Sequence, residues 1–289
     1  MTTETSSSPT ITRSEQRCFG GTQGFYEHES ESCAGPMRFS VFVPPGASKD
    51  HKVPAVYFLA GLTCTEETFV IKAGAQRAAS ELGLAIVTCD TSPRSKRYAG
   101  DDASWDFGQG AGFYLDATEH PWSESYRMES YVTRELRAAV EASFPVQTER
   151  RAIMGHSMGG HGALVLALRN QGLYDSVSAL APIVAPSQVP WGQKAFAGYL
   201  GDSQARWRAH DACALVASAT IPSTILVDVG AADKFLEREL RPELFVSACK
   251  SAGQSLELTM RDGYDHSYYF VQSFVEAHLR HHAAQLSKR

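Results

Sequence analysis

The sequence has no long apolar run, no closely spaced cysteines and no excess of basic residues. Its apolar stretches fall far short of the roughly 20 residues that a membrane span needs, so we expect no membrane association. The six cysteines are scattered without a C-x-x-C pair, which favours free thiols in a reducing cytoplasm over a disulfide framework. The net charge of −5 provides no basic surface, so we expect no nucleic-acid partner.

Metal-binding patterns and a secretion signal are also missing. The ten histidines include no H-E-x-x-H pattern, and no cysteine–histidine pair has zinc spacing, so we predict no metal and no cofactor. Residues 1–17 are polar, without the apolar core of a signal peptide, and we interpret them as a flexible lead-in. No linker or repeat interrupts residues 18–289, which we predict to form a single domain.

Short apolar runs alternate with longer mixed segments along the rest of the chain. Residues 53–62 and 84–90 are nearly continuous apolar runs, typical of central strands covered on both faces. Similar reasoning predicts strands over 37–45, 150–155, 174–183, 223–230 and 255–263, and helices over 73–83, 129–145, 160–171, 236–252 and 268–285. This alternation predicts an α/β fold with a mostly parallel sheet and helices on both faces. Segments 91–128 and 185–215 are expected to leave the sheet as long functional loops.

One serine lies in a glycine-rich stretch between a predicted strand and a predicted helix. Residues 155–159 read Gly-His-Ser-Met-Gly, which matches the G-x-S-x-G pattern in the strand–turn–helix context that this pattern requires. Glycines two residues to either side remove side chains that would collide in so tight a turn. We therefore predict that Ser157 is a nucleophile raised above the edge of the sheet.

A serine hydroxyl needs a base within hydrogen-bond reach, and the base needs a group that orients it. Asp233 follows the strand predicted over 223–230, and His266 follows the strand predicted over 255–263. The carboxyl ends of the strands in an open α/β sheet gather the active site at one edge. The order along the chain therefore predicts a triad of Ser157, Asp233 and His266.

Other titratable groups near these positions are interpreted as structural. Asp228 lies inside its strand and is expected to be a buried polar group, whereas Asp262 and Asp265 flank the histidine too closely to orient its ring. His156 neighbours the serine, but the turn should direct its side chain away, so we assign it a packing or pocket role. His161 is expected to lie on a helix face.

Backbone amides are the expected donors to the oxyanion that forms during acyl transfer. Met158 follows the nucleophile and supplies one amide. The segment AGLTCT, residues 60–65, follows an early strand, and Gly61 permits a tight turn that would present the amide of Leu62. A simple strand-ending turn is the alternative interpretation of this segment.

Six segments occur in an order and spacing that are not generic to hydrolases: YFLAGLTCTEETF, CDTSPR, WDFGQGAGFYLDAT, GHSMGGHGAL, GAADKFL and GYDHSYYF. From about residue 18 onward the chain resembles the S-formylglutathione hydrolase (esterase D) family of α/β-hydrolases. The resemblance implies a cytosolic thioesterase that releases formate from S-formylglutathione, in formaldehyde detoxification, and a homodimer. It assigns the same triad and the same Leu62 and Met158 amides.

The predicted substrate suggests which residues form the pocket. A formyl group is very small, so bulky side chains should close the acyl pocket, and the carboxylates of glutathione should meet polar and cationic groups. The resemblance also places Cys64 near the site, although a small buried side chain with no catalytic role is the simpler interpretation. The candidate pocket residues are Cys64, Trp105, Phe107, Phe113, Tyr114, His156, Trp191 and Lys194.

Three other functions stay open at the level of sequence. A broader short-chain carboxylesterase and an acyltransferase would use the same fold and the same triad. A non-catalytic binding protein is the third, but it would have no reason to retain a strained turn around an intact serine.

Overall fold

The computed structural model describes residues 9–288, and its nine strands form one sheet. The strands are β1 Ile11–Cys18, β2 Gly21–Ser30, β3 Gly35–Val43, β4 Val53–Leu59, β5 Ala85–Cys89, β6 Val146–His156, β7 Ser176–Leu180, β8 Ile225–Gly230 and β9 Leu256–Arg261. Their order in the sheet is β1-β2-β3-β5-β4-β6-β7-β8-β9. In this sheet order, the three pairs between β1 and β5 are antiparallel and the five pairs between β5 and β9 are parallel. The predicted α/β fold with a mostly parallel sheet is therefore confirmed.

Ten α-helices connect and cover these strands in the described part of the chain. They are α1 Glu66–Lys72, α2 Ala75–Leu82, α3 Met128–Ser130, α4 Arg137–Ser143, α5 Met158–Arg169, α6 Pro190–Leu200, α7 Gln204–Arg208, α8 Ala212–Leu215, α9 Pro242–Ala252 and α10 Tyr268–Leu286. A π-helical segment, Tyr131–Leu136, joins α3 to α4, so the helix predicted over 129–145 is continuous up to Ser143. None of the described helices is both long enough and apolar enough to cross a membrane.

Two predicted elements differ from the structure. Segment 185–215, expected as a long loop, contains α6, α7 and α8, of which α6 begins with a proline at its first turn. The helix predicted over 236–252 is divided at Arg241, whose φ of +52° interrupts the helical path before Pro242 begins α9. Both halves of the predicted helix bury apolar side chains, so the apolar periodicity of the sequence does not show where the helix is interrupted.

The predicted lead-in over residues 1–17 is wrong for the residues that form β1. This strand pairs with β2 in antiparallel register from Ile11↔Glu27 to Cys18↔Gly21. Its side chains are mostly exposed, so the polar sequence carries no alternation that would have indicated a strand. Backbone hydrogen bonds to β2 order it nonetheless. Residues 1–8 lie outside the described part of the chain.

Buried polar contacts hold the C-terminal helix α10 against the sheet. Asp228, fully buried in β8, contacts Arg261 Nε at 2.7 Å and His278 Nε2 at 3.1 Å. His278 in turn contacts the hydroxyl of Ser178 on β7 at 2.8 Å, and this hydroxyl also contacts His282. Because these partners occupy its carboxylate, Asp228 is a structural group that joins β8 to β9 and to α10.

Two buried histidines should make the protein less stable in mild acid. Burial lowers the pKa of His161 to about 4 and that of His210 to about 3. An unfolded histidine binds its proton near pH 6.5 whereas these folded ones do not, so the free energy of unfolding falls as pH drops from 6.5 towards 4. In His161→Gln, which keeps a donor for the Phe113 carbonyl, we expect that slope to decrease by about 1.4 kcal/mol per pH unit. Urea unfolding across this range measures both slopes, and equal slopes would contradict the assignment.

Candidate active site

Ser157 occupies a sharp turn between β6 and α5. Its φ of +59° and ψ of −120° are rare for a residue with a side chain, and they lift the side chain away from the strand. A Cβ added at Gly155 would overlap the carbonyl oxygen of Gly159, and one added at Gly159 would overlap that of Leu59. The two glycines are therefore required by the close approach of backbone at this turn.

The three predicted catalytic residues come together in one chain of hydrogen bonds. His266 Nε2 lies 2.8 Å from Ser157 Oγ, and His266 Nδ1 lies 2.5 Å from Asp233 Oδ2. A carboxylate accepts hydrogen bonds only, so Nδ1 carries the proton and Nε2 is free to accept one from the serine. The second oxygen of Asp233 accepts the amide of Phe235 at 2.8 Å, which fixes the carboxylate plane.

Backbone contacts between two loops bring the acid and the histidine together. Asp233 follows β8 and His266 follows β9, so both leave the same edge of the sheet as Ser157. The amides of Ala231 and Ala232 donate to the carbonyls of Arg261 and Tyr264, each at 2.9 Å. These two bonds tie the loops to each other at their base and hold the imidazole over the serine.

Two backbone amides next to Ser157 are available as donors. The turn at Gly61 approaches so closely that an added Cβ would lie 3.2 Å from Ser157 Cβ, and Leu62 follows it. Met158 is the first residue of α5, where amides have no partner within the helix. Neither the Leu62 nor the Met158 amide donates a hydrogen bond to another group within residues 9–288.

The loop that carries Leu62 is braced from the neighbouring segments. Thr63, with φ of +67°, donates its amide to the carbonyl of Gly110 at 2.8 Å. The hydroxyl of Thr91 donates to the carbonyl of Cys64 at 2.6 Å. These contacts fix the strained turn before a substrate binds, so the amide of Leu62 is already in position.

A cavity of about 200 Å³ lies over the serine and the histidine. Of the candidate pocket residues, four line it: Cys64, Trp105, His156 and Trp191. Phe235 and Tyr268 also line it, although neither was predicted from the sequence. Their positions two residues after Asp233 and His266 are the signal that could have indicated them.

Three predicted pocket residues do not line this cavity, and their assignment to the acyl pocket is corrected. Phe107 stacks on Tyr199 with ring centroids 4.7 Å apart, and Phe113 is fully buried in the core. The hydroxyl of Tyr114 donates to the carbonyl of Ala60 at 2.8 Å. The segment that carries these three rings turns towards the core instead of over the site. The rings therefore pack beneath the loops of the site and do not face the cavity.

His156 and Cys64 border the reacting groups, but neither has a pKa suited to acid–base or nucleophilic chemistry. The ring centroids of His156 and His266 lie 4.6 Å apart. Burial, the larger cause, and proximity to His266, the smaller one, lower the pKa of His156 well below its usual value. Burial raises the pKa of the Cys64 thiol. At neutral pH these residues present a neutral imidazole and a thiol, which form part of the cavity wall.

Lys194 lies outside the catalytic cavity, in an adjoining groove. Its ammonium contacts Asp106 Oδ1 at 2.5 Å and the hydroxyl of Ser104 at 2.7 Å. Lys194 was predicted as a cation for the substrate, but in the structure its charge is already paired within the protein.

Several known proteins are similar to this chain in sequence and in fold. The family described as "Putative esterase" matches residues 30–281. The S-formylglutathione hydrolases of Rattus norvegicus and Mus musculus are each 51% identical over 276 residues, covering 95% of this chain and 98% of theirs. A solved S-formylglutathione hydrolase from Agrobacterium tumefaciens has a TM-score of 0.91 at 48% identity, covering 96% of this chain and 99% of that chain. This chain therefore belongs to the S-formylglutathione hydrolase family of α/β-fold esterases.

Proposed function

We propose that this chain hydrolyses S-formylglutathione to glutathione and formate, with Ser157 as nucleophile, His266 as general base and acid, and Asp233 as the group that orients the histidine. The observation that carries the proposal is the continuous hydrogen-bond chain from Ser157 Oγ through the imidazole to Asp233. It occurs in a chain about half identical to relatives named for this reaction.

In the first step the serine oxygen attacks the thioester carbonyl while its proton moves to His266 Nε2. The carbonyl oxygen becomes an oxyanion, which the amides of Leu62 and Met158 stabilise. The carbon–sulfur bond then breaks, the imidazolium returns the proton to sulfur, and glutathione leaves as a thiol. Ser157 carries the formyl group as an ester.

In the second step water replaces glutathione. His266 takes a proton from the water as its oxygen attacks the formyl ester, and the same amides bind the second oxyanion. The bond to Ser157 Oγ breaks, the serine regains its proton from the imidazolium, and formic acid leaves and ionises to formate in water. Asp233 stays ionised throughout and stabilises the imidazolium that forms in each step.

The size of the cavity supports a small acyl group. Its volume of about 200 Å³ is smaller than the ~300 Å³ at the lower end of ordinary ligand pockets. The rings of Trp191 and Phe235, whose centroids lie 4.6 Å apart, are part of the wall that limits this volume. A one-carbon acyl group fits such a space, whereas a long acyl chain would have to displace these rings.

A comparison of substrates tests the proposal. We expect kcat/KM for S-formylglutathione to exceed that for 4-nitrophenyl acetate by at least about 10-fold, because only the thioester offers both the small acyl group and the glutathionyl arm. A preference for the ester of tenfold or more would instead identify a broader carboxylesterase. Product analysis with added alcohols would detect acyl transfer in place of hydrolysis.

We also propose a cytosolic location and a homodimer for this chain. Cys18, Cys33, Cys64, Cys89, Cys213 and Cys249 are all free thiols, which suits the reducing cytosol in which glutathione is abundant. The homodimer implied by the family resemblance stays a prediction.

A further inference from the structure

A second groove opens directly from the catalytic cavity. Its volume is about 600 Å³, and it shares Trp105, Trp191 and Phe235 with the cavity over the serine. The three shared rings continue from the catalytic histidine as one row. The ring centroids are 5.1 Å apart for His266 and Phe235, 4.6 Å for Phe235 and Trp191, and 5.3 Å for Trp191 and Trp105. A substrate whose acyl carbon reaches Ser157 would extend along this wall into the groove.

The charged side chains of the groove pair with one another except for one. Lys194 is bound to Asp106, and Arg238 Nε lies 3.4 Å from Glu239 Oε1. Glu239 is buried, and its other oxygen accepts the amide of Trp191 at 2.9 Å, so its position is built into the wall. These contacts account for two cations and both carboxylates of the groove.

Of the three cations that line the groove, Lys234 has no carboxylate partner among residues 9–288. Its side chain is exposed, and its ammonium lies 4.9 Å from the centroid of the Phe235 ring. A cation over an aromatic face is attracted to the ring, so the contact with Phe235 favours a position of the exposed Lys234 side chain at the groove wall. With the other charges paired, the groove carries one net positive charge.

The glutathionyl group has the complementary charge. At neutral pH it carries two carboxylates and one ammonium, and therefore one net negative charge. The catalytic cavity of about 200 Å³ has room for the thioester only, whereas the groove has the volume of an ordinary ligand site. Size, continuity and charge therefore agree on the same occupant.

We infer that this groove binds the glutathionyl arm of the substrate and that Lys234 pairs with one of its carboxylates. The inference rests on the proposed function and deepens it, because it names the residue that distinguishes a glutathione thioester from a neutral ester. Lys194 is already paired with Asp106 and is not assigned to a substrate carboxylate.

The Lys234→Gln variant tests the assignment through a ratio and a binding constant. The ratio of kcat/KM for S-formylglutathione to that for 4-nitrophenyl acetate should fall about fivefold, with most of the change in KM for the thioester. The inhibition constant of S-methylglutathione against ester hydrolysis should rise by about the same factor. Lys234→Arg keeps the charge and should restore most of both values.

Lys250→Gln is the matched control, because Lys250 is an exposed lysine in the last turn of α9 and does not line the groove. It should leave the ratio and the inhibition constant within twofold of the unmodified protein. A Lys234→Gln variant that also stays within twofold, or that loses the same factor on both substrates, would overturn the inference. Failure of the unmodified protein to hydrolyse S-formylglutathione would instead refute the proposed function, and the inhibition constant would still test the groove.

Discussion

Replacement of Ser157 by alanine should lower kcat for S-formylglutathione by about 10⁴-fold or more. The serine hydroxyl faces His266 Nε2 at 2.8 Å, and without it the acyl-enzyme cannot form. Alanine keeps the Cβ that the turn already accommodates at φ of +59°, so the fold should be preserved. Steady-state kinetics with the thioester and a thermal unfolding curve measure the two effects separately.

The Ser273→Ala variant is the control for this change. Ser273 is an exposed serine of α10 whose hydroxyl donates to the carbonyl of Tyr269, so its loss removes a hydroxyl outside the catalytic cavity. Its activity should stay within twofold of the unmodified protein. Retention of more than about a tenth of the activity in Ser157→Ala would exclude Ser157 as the nucleophile.

Replacement of Asp233 by asparagine should lower kcat by about 10³- to 10⁴-fold with little change in Tm. The amide of Phe235 donates to one oxygen of this side chain, so an asparagine must place its own oxygen there. Its NH₂ group then faces His266 Nδ1, which must accept a hydrogen bond instead of donating one. The ring proton moves to Nε2, and the imidazole can no longer accept the proton of Ser157.

The Asp228→Asn variant separates this effect from a structural one. Asp228 is five residues earlier, on β8, and pairs with Arg261 and His278 instead of the catalytic histidine. Its substitution leaves the partly exposed guanidinium of Arg261 without its carboxylate partner, so we expect Tm to fall by roughly 3–8 °C while kcat changes less than tenfold. The reverse outcome, with activity lost at Asp228 and kept at Asp233, would reassign the acid.

Ser157, Asp233 and His266 each belong to a local pattern, and this is why their proximity could be predicted from the sequence. The glycines two residues to either side of Ser157 are what a tight strand-to-helix turn requires, and Asp233 and His266 each follow an apolar run typical of a strand. Parallel strands bring their carboxyl ends to one edge, so the topology alone places the three segments close together. The structure adds the distances, and with them the direction of each hydrogen bond.

The pocket residues could not be predicted in the same way. Phe113 and Trp105 are both aromatic residues of one irregular segment, yet the first is fully buried and the second is 54% exposed at the cavity. Lys194 looks like a free surface cation until Asp106, which is 88 positions away, is placed beside it. In an irregular segment no periodicity links the sequence to the direction of a side chain, so composition alone does not separate a wall residue from a core residue.

The amino-acid pattern was sufficient to predict the order of most strands and helices, the turn at Ser157 and the chain positions of its two partners. Each of these features follows from backbone sterics and apolar periodicity over a few neighbouring residues. Only the folded chain decided that β1 joins the sheet, that Phe235 and Tyr268 line the cavity and that Lys234 lies over the Phe235 ring at the groove wall. These features depend on contacts between distant segments or on the direction of a side chain in a loop, and neither leaves a periodic trace in the sequence.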